Sequence, residues 1–329
     1  MSDDPGATKL PVAVVIPCYR VRRQIGAVIS ALLGRADQIY VVDDCCPEAS
    51  GHYIAETFSE RSVTVLFHAA NQGVGGAMVT GYRQALRDGH QIVVKLDGDG
   101  QMDPRYLPAL VAPILRGDAD YTKGNRFFDL RLLRNMPNLR LFGNSCLSFV
   151  NKLSSGYWDI MDPTNGFTAI GRAALERLDL DLIEPRYFFE SDMLFRLSLI
   201  RAVVRDVPMR AIYGGEKSSL RVRRVAVEFP CKYMVRAVKR FGYLYLLRDF
   251  NMGSLHTLFG VPLILFGLAF GIRHWVESVR SGIPATTGTV MLAVLPIMLG
   301  TQLLLSAIGY DIGNRPTEPL QKLFPIDKE

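Results

Sequence analysis

The sequence predicts an α/β domain over residues 1–230 and two membrane-spanning helices over residues 251–311. Three observations favour this fold class. Apolar β-branched runs alternate with helical patterns, two uncharged apolar stretches occur near the end, and a basic region precedes them. Hydrophobic residues make up 49% of the 329 residues, which fits a soluble domain averaged with two spans. Because residues 1–10 are polar and acidic, without the apolar core of a signal peptide, we expect the first domain in the cytoplasm.

Four apolar runs in the first third of the chain are predicted strands, and helices lie between them. The strands cover residues 12–16, 38–42, 62–67 and 91–96, and the clearest helical patterns cover 24–33 and 74–87. This alternation is typical of a parallel sheet joined by right-handed crossover helices. Ligands of such a sheet bind beyond the carboxyl ends of the strands.

Each predicted strand is followed by polar residues. The four motifs are Pro17-Cys18-Tyr19, Asp43-Asp44, Asn71-Gln72-Gly73 and Asp97-Gly98-Asp99. Because the carboxyl ends of parallel strands meet at one edge of the sheet, we expect these motifs to form one site.

Asp97-Gly98-Asp99-Gly100-Gln101 is the motif that best suits a metal ion. Two carboxylates on a glycine-containing turn can converge on a hard divalent cation, Mg²⁺ or Mn²⁺, that also binds a diphosphate. Gln101 would add a neutral oxygen. The alternative is a plain acidic turn.

Two further motifs predict contacts with a nucleotide. Asp43 and Asp44 are candidates to accept hydrogen bonds from a ribose or a base, although a helix cap or turn explains the same residues. The segment 71–77, with Gly73, opens a helix and would present backbone amides to an anion. Since Met78 stands where a dinucleotide fingerprint needs its last glycine, a nicotinamide or flavin enzyme is excluded.

Charged residues in the second half extend the candidate site. The cations are Arg126, Arg131, Arg134, Lys217 and Arg221. Glu190 and Asp192 open a predicted helix over residues 188–199, where they are either a general base or acidic residues favoured by the helix dipole.

The end of the chain is predicted to lie at and across a membrane. Residues 253–272 and 288–308 are each about 20 residues long, enough to cross a bilayer. Residues 231–250 form an amphipathic pattern, for which a packed helix with a solvated basic face is the alternative. Residues 201–249 hold 12 Lys and Arg against 4 Asp and Glu, so we expect this flank and the tail, 312–329, in the cytoplasm. A basic surface beside a span favours anionic lipid over nucleic acid as partner. The alternative for the two stretches is a pair of buried core helices.

Taken together, the motifs resemble those of inverting family 2 glycosyltransferases, which have the GT-A nucleotide-diphospho-sugar transferase fold. The resemblance covers residues 11–230 and rests on six segments in order: VVIPCY (14–19), VVDD (41–44), NQG (71–73), DGDGQ (97–101), GNRF (124–127) and NGF (165–167). Within the family the chain is most similar to polyprenyl-phosphate glycosyltransferases such as dolichol-phosphate mannosyltransferase and bacterial undecaprenyl-phosphate sugar transferases. Members of that group also carry two C-terminal spans.

The resemblance implies roles for individual residues. Pro17, Tyr19 and Asp44 would hold the nucleotide, whereas Asp97, Asp99 and Gln101 would hold Mg²⁺ or Mn²⁺ on the diphosphate. Arg126 would lie near the acceptor phosphate or the donor diphosphate. The chain departs from the family at Arg20-Val21-Arg22, which replaces the usual Asn-Glu after the tyrosine and bears on how the base is recognised.

The expected reaction transfers one sugar from a nucleotide-diphosphate sugar to polyprenyl phosphate with inversion. A lipid phosphate is already anionic near neutral pH, so the reaction needs cations, first of all Arg126 and Lys217, rather than a strong base. With a glycan hydroxyl as acceptor, Glu190 or Asp192 would be the base. The missing Gln-x-x-Arg-Trp element and the presence of only two predicted spans argue against a processive synthase. An inactive membrane scaffold is the remaining alternative, and the oligomeric state, homo-oligomers included, stays open.

Overall fold

A computed structural model describes residues 12–128, 138–210 and 222–324 and confirms the α/β fold. One seven-stranded sheet has the order β3-β2-β1-β4-β6-β5-β7. Its strands are β1 (Val12–Cys18), β2 (Gln38–Asp43), β3 (Val63–Phe67), β4 (Ile92–Lys95), β5 (Tyr121–Asn125), β6 (Thr168–Gly171) and β7 (Val204–Pro208). The first four coincide with the predicted strands to within two residues at each end.

Strand β6 gives the sheet its mixed character. It runs antiparallel to both β4 and β5, whereas β1, β2, β3 and β4 are mutually parallel and β5 is parallel to β7. Because β6 runs the other way, the residues that precede it, Asn165 and Gly166, lie at the same edge as the carboxyl ends of β4 and β5. The reversal therefore adds a segment to the edge that carries the acidic motifs.

Eleven α-helices are present in the described residues. They are α1 (Ile25–Leu32), α2 (Ser50–Thr57), α3 (Val74–Arg87), α4 (Leu107–Leu115), α5 (Asn138–Ser155), α6 (Arg172–Leu175), α7 (Phe189–Leu199), α8 (Val222–Phe241), α9 (Met252–Ser281), α10 (Thr287–Gly313) and α11 (Leu320–Leu323). The patterns predicted at 24–33, 74–87 and 188–199 correspond to α1, α3 and α7.

Two apolar layers cover the sheet, one on each face. Alternation along β1 sends Ala13 and Val15 into one layer, and Val14 and Ile16 into the other. Helix α3 packs so closely on the first face that a Cβ at Gly81 would lie 2.2 Å from Cγ1 of Val15. Glycine is thus required where α3 crosses β1.

The chain divides into two units, and the second comprises Val238–Arg315. Its two long helices, α9 and α10, are both long and apolar enough to span a membrane. Only 11% and 6% of their most apolar windows are buried in the structure, so the alternative of buried core helices is wrong. The two helices pack through glycines: a Cβ at Gly300 would lie 2.7 Å from the carbonyl oxygen of Gly260.

The segment before these helices differs from the predicted single helix over 231–250. Helix α8 begins earlier, at Val222, and continues into a π-helical turn, Gly242–Arg248. Asn251 then caps α9, because its side chain accepts hydrogen bonds from the amides of Gly253 and Ser254. Within this second unit, Arg240 forms an ion pair of 2.7 Å with Asp311 near the end of α10.

The first unit is completed by residues from the far end of the chain. It comprises residues up to Ala237 together with the residues from Pro316 onward. Leu320 is 3% exposed in the core layer that α3 covers. Its amide donates to Asp120 Oδ1 at 2.8 Å, while Asp120 Oδ2 accepts from the amide of Val203 at 2.8 Å.

Candidate active site

The acidic turn after β4 is the centre of the candidate site. Gly100 has a φ of +76°, a left-handed conformation that favours glycine, and this lets the chain turn directly after Asp99. Asp99 Oδ1 accepts a hydrogen bond of 3.0 Å from the amide of Gln101. Both aspartates are partly exposed and Gln101 is exposed, so the turn presents oxygen atoms at the sheet edge.

The carboxylates of this turn suit a metal ion that is shared with a substrate. The described residues contain no cluster of three or more His, Cys, Asp and Glu side chains that could bind a metal alone. Mg²⁺ usually keeps few protein ligands and completes its shell with water and substrate phosphate oxygens. Asp97 and Asp99 supply the kind of donor set that such an ion needs.

Lys95, the last residue of β4, contacts this turn. Its Nζ lies 2.6 Å from Asp97 Oδ1 and 3.3 Å from Glu190 Oε1. The side chain is 1% exposed. Burial alone would lower the pKa of Lys95, but the two carboxylates outweigh burial and raise it above its ordinary value. Lys95 therefore carries a permanent positive charge under the site.

A second buried lysine lies in the same row of the sheet. Thr168 of β6 pairs with Lys95 on one side and with Lys123 of β5 on the other. Lys123 donates to the carbonyl oxygen of Asn165, and burial lowers the pKa of Lys123 to about 8. The two lysines thus lie beneath the Asn165-Gly166 segment.

Asp43 and Asp44 are both buried, and both accept hydrogen bonds from backbone amides. Asp43 accepts from the amides of Cys46, at 2.7 Å, and Gly51, at 2.6 Å, so it stabilises the start of α2. Asp44 accepts from the ring of His68 and from the amides of Gln72 and Gly73, at 2.8, 2.8 and 2.7 Å. Asp44 thereby fixes the loop that follows β3.

The anion site predicted for the amides of segment 71–77 is not what the structure contains. Gly73 donates to Asp44, while the amides of Gly75 and Gly76 donate to the carbonyl oxygen of Pro185 at 2.8 and 3.2 Å. A Cβ at Gly75 would lie 2.1 Å from the carbonyl oxygen of Glu184. These glycines therefore allow α3 to approach the chain before α7, and their amides are occupied within the protein.

The residues after β1 form an exposed surface beside the acidic motifs. Pro17 is partly exposed, whereas the Tyr19 side chain is 41% exposed, with the guanidinium of Arg20 5.3 Å from its ring centre. Arg20 has a φ of +58°, and its amide donates to Cys46 Sγ at 3.1 Å. The segment that departs from the family pattern is thus attached to the loop after β2.

Arg126, expected beside a phosphate, is held by a buried carboxylate. Its Nε and Nη2 donate to Asp162 Oδ2 and Oδ1 at 2.7 and 3.0 Å, and Asp162 has no exposed side-chain surface. Because the Arg126 side chain keeps 33% exposure, this ion pair orients the guanidinium without covering it. No feature of the sequence marked Asp162 as the partner of Arg126.

Asp192, expected as an alternative base, is enclosed instead. It is fully buried, and its oxygens accept from Arg196 Nε at 2.6 Å, Arg236 Nε at 2.7 Å and the amide of Glu184 at 2.9 Å. Because both oxygens are occupied and the side chain has no exposed surface, Asp192 does not reach a substrate hydroxyl, so the base role does not fit it. Glu190, with a 15% exposed side chain, is the acidic residue of α7 that contacts Lys95 and, through it, the acidic turn.

The structure joins some of the predicted site residues and leaves others outside its description. It brings Asp97, Asp99 and Gln101 together, with Glu190 adjacent through Lys95. The cations Arg131, Arg134, Lys217 and Arg221 lie outside the described residues. Lys95 itself was missed, although a lysine inside an otherwise apolar strand was a signal that could have identified it.

Two known enzymes are similar to the chain in sequence. Over 242 residues the chain is 29% identical to the UDP-N-acetylglucosamine–dolichyl-phosphate N-acetylglucosaminyltransferase of Methanococcus voltae, covering 69% of this chain and 96% of that one. It is also 29% identical over 202 residues to the undecaprenyl-phosphate mannosyltransferase of Micrococcus luteus, covering 60% of this chain and 82% of that one.

Solved structures support the fold. Glucosyl-3-phosphoglycerate synthase from Mycobacterium tuberculosis, crystallised with Mn²⁺, UDP and phosphoglyceric acid, matches with a TM-score of 0.52 at 18% identity, covering 71% of this chain and 79% of that one. Mannosyl-3-phosphoglycerate synthase from Rubrobacter xylanophilus matches with a TM-score of 0.51 at 18% identity, covering 74% of this chain and 77% of that one. The domain therefore has the GT-A fold. Since the profile of glycosyl transferase family 2 matches residues 13–179, half of the chain, the protein belongs to that family and is a glycosyltransferase.

Proposed function

We propose that the protein transfers a single sugar, with inversion, from a nucleotide-diphosphate sugar to polyprenyl phosphate at the cytoplasmic face of a membrane. The observation that carries the proposal is the pair of carboxylates, Asp97 and Asp99, on a turn at the carboxyl edge of a GT-A sheet. Relatives that act on dolichyl and undecaprenyl phosphate support the choice of acceptor. Inversion follows from attack by the acceptor opposite the leaving diphosphate.

Asp97 and Asp99 would hold Mg²⁺ or Mn²⁺ on the donor diphosphate, with Gln101 beside them. When bound, the ion would stabilise the negative charge that develops on the leaving diphosphate. Tyr19 and Pro17 line the exposed surface where a base would lie, and Asp44 would act there by fixing the loop after β3. The role of Asp43 is to stabilise the neighbouring helix start.

The acceptor phosphate requires cations rather than a base. Arg126 is the described guanidinium that suits it, because Asp162 orients it and a third of its side chain is exposed. Lys217 remains the second candidate by sequence. A phosphate oxygen is already deprotonated near pH 7, so its attack leaves no proton for a side chain to remove.

The test is transfer of label into lipid. Membranes containing the protein are incubated with Mg²⁺ or Mn²⁺, undecaprenyl phosphate and a panel of radiolabelled nucleotide sugars. We expect label in the organic phase with one donor, and loss of at least about 100-fold for Asp99→Ala. Asp118→Ala is the matched control, since Asp118 precedes β5 at the opposite edge and pairs with exposed Arg116. Equal activity of the Asp99 variant and wild type would contradict the proposal.

The alternative acceptor is a hydroxyl of a lipid-linked glycan, which the position of Glu190 next to the acidic turn favours. Mild acid separates the two products, because it cleaves glycosyl phosphates and spares ordinary glycosides. Release of a labelled monosaccharide supports the polyprenyl-phosphate product. Release of a labelled oligosaccharide would move the acceptor to a hydroxyl, with Glu190 as base.

The proposed topology places the first unit and the tail on the cytoplasmic side. Since the chain leaves the first unit at Ala237 and re-enters it at Pro316, the segment between must cross the membrane an even number of times if it crosses at all. In a cysteine-free background in intact cells, we expect Gly282→Cys to react with a membrane-impermeant maleimide and Lys322→Cys to be protected. Protection of both would indicate that the helices lie on one side of the membrane.

A further inference from the structure

Lys95 forms an ion pair with Asp97, one of the two proposed metal ligands. Its Nζ lies 2.6 Å from Asp97 Oδ1, 3.3 Å from Glu190 Oε1 and 3.3 Å from the carbonyl oxygen of Gly166. All three contacts are acceptors, so they account for the three N–H bonds of an ammonium group. The ammonium is thus held from three different elements: the turn after β4, helix α7 and the segment before β6.

The ammonium of Lys95 is closely surrounded. The side chain is 1% exposed, and a Cβ on Gly166 would lie 2.4 Å from Nζ and 2.6 Å from Asp97 Oδ2. Only glycine at 166 leaves room for Lys95 and Asp97 together. The distance from Lys95 to Asp97 is therefore set by packing as well as by charge.

A fixed positive charge has two opposite effects on a divalent cation. It orients Asp97, which favours coordination, and it repels the ion across a short distance. In the absence of substrate, the charges of Lys95, Asp97, Asp99 and Glu190 add up to two negative charges, whereas without Lys95 they would add up to three. A nucleotide diphosphate brings further negative charge to the same place and offsets the repulsion between Lys95 and the ion.

We propose that Lys95 is a positioning residue that makes metal binding depend on the nucleotide diphosphate. It holds Asp97 in its binding orientation and weakens the binding of a free divalent ion until the diphosphate is present. This inference rests on the proposed function, because it takes Asp97 and Asp99 as the metal ligands. It predicts that the ion and the donor enter the site together.

The experiment measures Mn²⁺ binding directly, by electron paramagnetic resonance of the full chain in detergent micelles, with and without UDP or GDP. For wild type we expect weak binding that tightens at least about tenfold with one of the nucleotides. For Lys95→Met we expect nucleotide-free binding to tighten about tenfold or more, and the gain from nucleotide to shrink. Lys95→Arg, which keeps the positive charge, should also keep nucleotide-free Mn²⁺ binding weak. Lys239→Met, the same change as Lys95→Met at an exposed position of α8, should have no effect.

A second variant separates the effect of the lost charge from the effect of misfolding. Removing Lys95 leaves Asp97 and Glu190 without the cation that lies between them, which destabilises the fold. The double variant Lys95→Met/Glu190→Gln removes one charge of each sign, and it should bind free Mn²⁺ more tightly than Glu190→Gln alone. Merely structural damage would weaken binding in both conditions and would not be rescued by arginine.

The outcomes separate the inference from the proposed function. Unchanged or weaker nucleotide-free binding in both Lys95→Met variants overturns the role of Lys95, and so does failure of both to fold. Wild type that binds no Mn²⁺ with any nucleotide, and transfers no sugar, overturns the metal-dependent function itself.

Discussion

At Gly166 the absence of a side chain leaves room for Lys95 and Asp97. We expect Gly166→Ala to reduce sugar transfer at least about tenfold, because its Cβ would force apart Lys95 Nζ and Asp97 Oδ2, 2.4 and 2.6 Å away. Transfer rates in membranes measure the effect. Gly143→Ala is the control, since a Cβ at Gly143 meets nothing within 4 Å. Equal rates for the two variants would mean that Asp97 tolerates displacement.

The raised pKa of Asp206 predicts how the stability of the protein changes with pH. Burial raises the pKa of Asp206 to about 6, and its Oδ1 is buried without a hydrogen-bond partner among the described residues. Between about pH 4 and 6 the folded protein therefore binds the extra proton, so the free energy of unfolding falls as the pH rises through this window. Asp206→Asn should remove this fall and be more stable at pH 7 by about 1–2 kcal/mol.

The measurement compares the unfolding free energies of the Asp206 variant and wild type at pH 4 and pH 7. The difference between the two proteins should be small at pH 4 and should favour the variant at pH 7. A constant difference across this range would show that Asp206 titrates normally.

Single residues of the site were partly predictable. Asp97 and Asp99 could be found because a glycine-rich acidic turn after an apolar strand has a local signature. Asp44 and Asp192 were harder, because whether a carboxylate faces a ligand or the backbone depends on segments distant in sequence. The Arg126–Asp162 pair, 36 residues apart, is of the same kind.

At the scale of elements, the close contact between α3 and β1 limits which residues can replace Gly81. Gly81→Ala should destabilise the protein by about 1–3 kcal/mol, because its Cβ would lie 2.2 Å from Val15 Cγ1. Thermal unfolding detects the loss. Val15→Ala makes room for the new methyl group, so the double variant should be less destabilised than the sum of the two single variants. Strict additivity would mean that the helix shifts instead.

Elements with local signals were predicted well, and those that depend on pairing were not. The first four strands and α3 follow from periodicity and glycine positions. The antiparallel course of β6 depends on partners at β4 and β5, which a four-residue run cannot specify. The π-helical turn Gly242–Arg248 was missed because it lies inside a continuous amphipathic pattern.

At the scale of the whole molecule, the tail contributes to the core of the first unit. Leu320→Ala should lower the free energy of unfolding of this unit by about 2–4 kcal/mol, since it empties a buried site in the core layer. The control is Leu323→Ala, three residues on, where the side chain is 50% exposed and the expected cost is under about 0.5 kcal/mol. Equal thermal midpoints for the two variants would show that the tail is dispensable.

The return of the tail also has a consequence for biosynthesis. During synthesis the ribosome makes the seven strands of the sheet first, then the two apolar helices, and only afterwards residues 316–324. Until those residues emerge, Asp120 lacks the amide of Leu320 and the core layer lacks its last side chain. In the proposed topology, the final folding step of the first unit therefore follows membrane insertion. A chain whose hairpin inserted with one helix missing would leave Leu320 on the wrong side of the bilayer.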